Sequence, residues 1–193
     1  PSGRRAFGSD RQDFERGPTL SVDQSGCVVW ITGMSGAGKS TCANALADRM
    51  RSSGYRVEVL DGDAIREQLS KGLTYSREDR NENIRRIGFV AELLSRNGVM
   101  VIVAAISPYR QARDEVRARI PNFLEVHAHC PLEVLIQRDA KGLYKRALAG
   151  EIEHFTGIND PYEPPQAPEA TIDSSTDSVE QGVDRICTAL QRQ

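Results

Sequence analysis

Apolar residues along this chain fall in short unbroken blocks, separated by longer stretches in which they recur every three or four positions. The blocks "CVVWIT" from Cys27, "RVEVL" from Arg56, "VMVIVAAI" from Val99 and "FLEVHA" from Phe123 predict strands, largely apolar on both faces. "TIDSS" from Thr171 predicts a last short strand. The periodic stretches predict helices. One runs from Lys39 to about Ser53 and closes on Gly54, and one runs from Ser76 to Gly98 with a capping-box pattern at Ser76 and Asp79. A closing helix is predicted over Val179 to Leu190. Strands alternating with helices predict an α/β fold: a three-layer sandwich around a mostly parallel five-stranded sheet. Residues 1–25 are polar and lack any period, so they are expected to form a flexible arm ahead of one domain over 26–193. "GINDPYEPPQAP", from Gly157, is rich in proline and is expected to be loop.

The first strand runs directly into Gly33-Met34-Ser35-Gly36-Ala37-Gly38-Lys39-Ser40, which fits G-x-x-x-x-G-K-[ST] in full between a strand and a helix. Glycines at those positions let the backbone curl so that N–H groups face phosphate oxygens, and the helix N-terminus adds a favourable dipole. Gly33, Ser35, Gly36, Ala37, Gly38, Lys39, Ser40 and Thr41 are therefore expected to hold ATP. Lys39 is placed for the β- and γ-phosphates and the Ser40 hydroxyl for Mg²⁺. A GTPase would carry a base-reading N-K-x-D and a D-x-x-G after the third strand; neither is present. That third strand also ends without an acidic residue, so a carboxylate for the metal must come from elsewhere.

"LDGDAIR" supplies it. A helix from Lys39 runs away from the cradle at about 1.5 Å per residue, and the next strand returns at about 3.3 Å per residue. Asp61 and Asp63 are thus expected beside the phosphate loop, at the strand ends where open α/β sheets bind ligands. Asp61 is the candidate for the Mg²⁺ shell. Asp63 is the candidate to orient an acceptor hydroxyl, with Arg66 nearby for an anion; the competing reading of Asp63 is a helix N-cap. In the long helix, Arg80, Asn83, Ile87, Val90 and Leu94 share one face, which is expected to pack on the sheet and bring its two polar members into the site. Ser107-Pro108 is expected to open another helix at the same edge, as N-cap and N1. His127 and His129 stand two apart on a strand without a third ligand in view, which favours buried or edge histidines over a metal site.

Lys and Arg number 25 against 27 Asp and Glu, a net charge of −2, which argues against nucleic acid as the main partner. The longest apolar run fits a buried strand and cannot span a membrane. Four scattered cysteines without a CxxC pair fit free thiols in a reducing compartment, so a cytoplasmic location is expected.

The segments "GMSGAGKST", "LDGDAIR", "REDRNENIRRIG", "ISPYRQAR", "LEVHAHCPLEV" and "RDAKGLYKRALAGEIEHFTGINDPYEPP" together resemble the adenylyl-sulfate (APS) kinases, a family of P-loop kinases, from residue 27 to about 175. The resemblance implies transfer of the ATP γ-phosphoryl to the ribose 3′-hydroxyl of adenosine 5′-phosphosulfate (APS), with ATP as co-substrate. It implies that Arg66, Arg80 and Asn83 hold the phosphosulfate nucleotide, that Ile106 and Ser107 line the same pocket, and that Asp61 and Asp63 face it. Lys141 would reach the migrating phosphate and Arg138 would lie by the ATP base. A mobile lid is implied from about Asp139 to Pro165, and Tyr75 and Phe155 would clasp the APS adenine. Asp63, Lys39, Lys141 and Ser107 then form the expected catalytic set, with Ser107 read as an anion donor rather than a phosphorylated intermediate. Tyr75 stands where the family usually has Phe, and His129 stands where its strand usually ends in Asp. A homodimer, and fusion to or association with an ATP sulfurylase, also belong to what the resemblance implies.

Overall fold

The computed structural model describes residues 26–192; the expected N-terminal arm lies outside the described residues. Five strands, β1 (Val28–Thr32), β2 (Val57–Asp61), β3 (Met100–Ala104), β4 (Phe123–His129) and β5 (Ala170–Asp173), form one sheet in the order β2-β3-β1-β4-β5. Every neighbouring pair is parallel, with Val28 opposite both Val101 and Phe123 across the centre of the sheet. Seven helices complete the described chain: α1 (Lys39–Ser52), α2 (Gly62–Leu69), α3 (Arg77–Ser95), α4 (Arg110–Arg117), α5 (Leu132–Arg138), α6 (Leu143–Leu148) and α7 (Val179–Leu190).

The pleat explains the layers. In β1, Val29 and Ile31 turn to one face and join Leu46 of α1 and Ile186 of α7. Val28 and Trp30 turn to the other face and join Ile84 and Ile87 of α3 and Val116 of α4. All five β1 side chains are fully buried, and each of its aliphatic members contributes about 1.5–3 kcal/mol by leaving water. No helix among the described residues is long and apolar enough to cross a membrane.

One expectation changes and one is extended. The long helix buries Arg80, Asn83 and Ile87 as its period predicts, Val90 and Leu94 pack half-buried against the same core, and Ile84 and Ala91 complete the covered face. The helix expected from Ser107 begins at Arg110 with Tyr109 as N-cap. Ser107 itself has a φ of 41°, in the left-handed region that a β-carbon disfavours. Its carbonyl accepts from Arg113 Nη1 at 2.6 Å, and its hydroxyl is held from Trp30, so the loop is fixed from inside rather than started as a helix.

Candidate active site

Because the strands are parallel, their C-terminal ends gather at one edge, and the phosphate loop springs from the central strand there. Gly33 leaves β1 where a β-carbon would come within 2.3 Å of the Ala128 carbonyl oxygen, so only glycine lets the loop start so close to β4. Gly38 serves as N-cap of α1 with φ 83°, a left-handed turn that aims the first N–H groups of the helix back into the loop.

Lys39 is buried, and its ammonium donates to the Met34 carbonyl at 2.8 Å, across the loop. Burial pushes its pKa down to about 8, against the pull of Asp63 and Asp61. A polyphosphate entering the loop would offset that desolvation directly. Next to it, the Ser40 hydroxyl donates to Asp61 Oδ2 at 2.5 Å. Asp61 Oδ1 accepts from the Asp63 N–H at 3.0 Å, which makes Asp61 the N-cap of α2. The cap is therefore one carboxylate earlier than Asp63. That leaves the Asp63 side chain to face outward, where it accepts from Lys141 Nζ at 2.8 Å. The contact holds the Lys141 pKa above its ordinary value. The pair is well exposed in this state, so it contributes little to stability.

A cavity of about 370 Å³ adjoins these groups. It brings together Ser35, Gly36, Gly38, Lys39, Ser40 and Thr41 of the loop with Asp61, Asp63 and Lys141, and also with Arg66, Tyr75, Arg80, Asn83, Ile106 and Ser107. Gly33 and Ala37 are buried behind it and supply backbone. The Arg66 guanidinium lies 4.3 Å from the centre of the Tyr75 ring, and that of Arg80 lies 5.5 Å away. Asn83 Oδ1 accepts from the buried Ser70 hydroxyl at 2.6 Å. Arg80 donates through Nε to the Tyr75 carbonyl at 2.8 Å, through Nη1 to Thr156 Oγ1 at 2.7 Å, and through Nη2 to the His154 carbonyl; Asp160 stands 3.7 Å away. One buried cation thus joins α3 to the segment over 154–160.

Arg138 and Phe155 do not line this cavity. Arg138 donates to the Ser174 carbonyl at 3.0 Å, and the Ser174 side chain stands against Gly38, so Arg138 sits at the rim of the phosphate loop. Phe155 lies edge-on to Tyr144 with ring centres 5.0 Å apart. His127 stacks on Tyr162 at 5.9 Å, and burial lowers its pKa to about 4. Among the described residues no group of three or more His, Cys, Asp or Glu side chains could hold a metal. All four cysteines are free thiols.

Sequence reasoning missed Arg113. It is 1% exposed, and it donates through Nε to Glu125 Oε1 at 2.8 Å, through Nη1 to the Ser107 carbonyl, and through Nη2 to the Glu163 carbonyl at 2.7 Å. The available signal was Glu125, a lone carboxylate inside an apolar strand, which demands a buried partner.

The family model described as Adenylylsulphate kinase matches residues 25–173. An adenylyl-sulfate kinase of Chloroflexus aurantiacus is 58% identical over 174 residues, covering 90% of this chain and 94% of that protein. A probable bifunctional SAT/APS kinase of Sorangium cellulosum is 56% identical over 167 residues, 86% of this chain and 29% of that longer protein. The Mycobacterium tuberculosis APS kinase, solved in complex with AMPPNP and APS, superposes with a TM-score of 0.83 at 40% identity, covering 86% of this chain and 98% of that one.

Proposed function

We propose, from the premise that this chain belongs to the adenylyl-sulfate kinase family, how its site carries out that family's reaction. The enzyme is a phosphotransferase acting on an alcohol group. It moves the γ-phosphoryl of ATP to the ribose 3′-hydroxyl of APS, giving ADP and 3′-phosphoadenosine 5′-phosphosulfate (PAPS), in sulfate assimilation. The observation that carries the residue assignment is the 2.8 Å Asp63–Lys141 pair, which lines one cavity with both the phosphate loop and the Arg66, Tyr75, Arg80 and Asn83 set. In-line transfer needs an aligned hydroxyl, a cation on the migrating group and little else. Asp63 accepts the 3′-hydroxyl proton, and Lys141 and Lys39 neutralise charge on the phosphoryl oxygens. Arg66, Arg80 and Asn83 hold the phosphosulfate, and Arg138 lies beside the ATP base. Ser40 and Asp61 offer two adjacent oxygen donors, the hard set that suits Mg²⁺, and would hold it there. Mg²⁺ bound there would neutralise phosphate charge. The segment from about Asp139 to Pro165 acts as the lid, the chain works as a cytoplasmic homodimer, and it can associate with an ATP sulfurylase.

The test is incubation with ATP, Mg²⁺ and APS, following ADP and PAPS. PAPS should form in step with ADP. ADP released equally fast without APS would mark an ATPase instead.

Ser107 supports direct transfer. Its hydroxyl accepts from Trp30 Nε1 at 3.0 Å and gives its one proton to the Ala105 carbonyl at 3.2 Å, so the anion-donor role expected of it requires that long internal bond to be exchanged for one to APS. Ser107→Ala should weaken APS binding and cost about 1–3 kcal/mol of stability by leaving the indole N–H unpaired, yet leave measurable turnover. Mass spectrometry that traps phosphoserine at position 107, forming and decaying at the turnover rate, would overturn this.

Adenine stacking on Tyr75 and Phe155 gives a separate prediction. Tyr75 is exposed and ready, whereas Phe155 must leave Tyr144 as the lid closes. Phe155→Ala should raise the APS dissociation constant about 5- to 150-fold, the range expected for one lost stacking face. Tyr75→Phe should be nearly silent. Calorimetry with APS in the presence of ADP reads both, and unchanged affinity in Phe155→Ala would exclude the clasp.

A further inference from the structure

Lys141 lies in a tight turn between α5 and α6. The Gly142 N–H donates to the Asp139 carbonyl at 2.8 Å, and the Asp139 carboxylate accepts from the N–H groups of Tyr144 and Lys145 at 3.0 and 2.9 Å. The turn is therefore internally stiff, and its lysine side chain, mostly exposed, is held at its tip by Asp63. What seats the turn on the body of the protein is Tyr144. Its ring is 3% exposed and belongs to the core cluster that also holds Ala37 and Leu135, and its hydroxyl donates to the Ser35 carbonyl at 2.9 Å. Ser35 belongs to the phosphate loop, four residues before Lys39. Burial raises the phenol pKa to about 12, so it remains a donor throughout the working pH range.

We propose that Tyr144 is a positioning residue that fixes the Lys141 turn against the phosphate loop, so that Lys39 and Lys141 reach one polyphosphate with fixed separation. The inference rests on the assignment of Lys141 to the migrating phosphate. Neither Lys39 nor Lys141 is adjacent to the other in sequence, and their common reference is the loop that Tyr144 grips. Tyr144→Phe keeps the ring and its packing and removes only the hydroxyl. It should lower kcat about 3- to 10-fold, the scale of one lost hydrogen bond, with the KM for ATP held within about twofold. Its melting temperature should stay close to that of the parent.

The decisive comparison is a double-mutant cycle with Lys141→Ala. If Tyr144 acts through Lys141, adding Tyr144→Phe to Lys141→Ala should change kcat no further. The same fold loss in both backgrounds, or a parental kcat in Tyr144→Phe alone, would overturn the proposal. Lys141→Ala at the parental rate would overturn it too, while PAPS formation by the parent would keep the kinase reading intact. Should Lys141→Ala be too slow to assay, hydrogen exchange decides: amides 140–149 should exchange faster in Tyr144→Phe, and unchanged exchange there would sink the idea.

Discussion

Asp63→Asn is expected to lower turnover about 10²- to 10⁴-fold, the range of general-base effects, while ATP still binds. Asparagine keeps the shape of the side chain and removes its charge and basicity. The helix start is untouched, because Asp61 and not Asp63 caps α2. The phosphate loop keeps its shape, since Lys39 is held by the Met34 carbonyl, although the Lys39 pKa loses the upward pull of Asp63. Two losses remain. The 3′-hydroxyl has no carboxylate to accept its proton, and Lys141 has no counter-ion to hold it over the cavity. The Lys141 pKa, raised by Asp63, should fall toward its ordinary value in the variant, and that value still leaves it charged at neutral pH. Steady-state kcat and calorimetric ATP affinity check the prediction together. A rate within about twofold of the parent would reduce Asp63 to an ion-pair partner, because an orienting base contributes far more than that.

Much of this site is written locally in the chain. Gly33, Gly38 and Lys39 are legible because their motif encodes backbone geometry within a few residues. Asp61 and Asp63 follow from counting helix length out and strand length back, and helical phase alone turns Arg80 and Asn83 inward. The missed features depend on partners far along the chain. Ser-Pro is a sound helix opening by local chemistry, yet Ser107 takes a left-handed φ because Trp30, 77 residues earlier, and Arg113 hold it there. Helical phase turns Arg80 toward the site, but nothing local reveals that Thr156, 76 residues on, and the His154 carbonyl accept from its guanidinium. The contact of Phe155 with Tyr144 depends on how the segment over 150–160 folds back. Local propensity cannot specify which of two aromatic surfaces a lid residue covers in a given state; that is decided by packing between distant segments.

Arg113→Met is expected to destabilise the protein by about 3–5 kcal/mol, because it leaves the Glu125 carboxylate buried without its main partner. The carboxylate is 8% exposed, and Arg117 reaches it only at 3.5 Å, so neither water nor the remaining cation replaces what is lost. The guanidinium also holds the Ser107 and Glu163 carbonyls, so the loop after β3 and the Pro-rich segment around Glu163 both loosen. The loop after β3 lines the cavity proposed to take APS, and the KM for APS should rise in whatever fraction folds. The pair itself is a different matter from either member alone. Taking two ions out of water costs several kcal/mol, and apolar replacement of both often recovers most of the stability. Arg113→Met with Glu125→Leu should therefore be markedly more stable than Arg113→Met alone, by urea midpoint, while still showing the raised KM because the two carbonyl contacts remain broken. If Arg113→Met fails to accumulate, Glu125→Gln gives the milder reading: a neutral acceptor in the same place should cost less stability than Arg113→Met and leave the KM for APS near the parent value. A double variant no more stable than Arg113→Met would show that the carbonyl contacts, and not the buried charge, dominate. A parental KM in the double variant would show that Ser107 and Glu163 hold their places without Arg113.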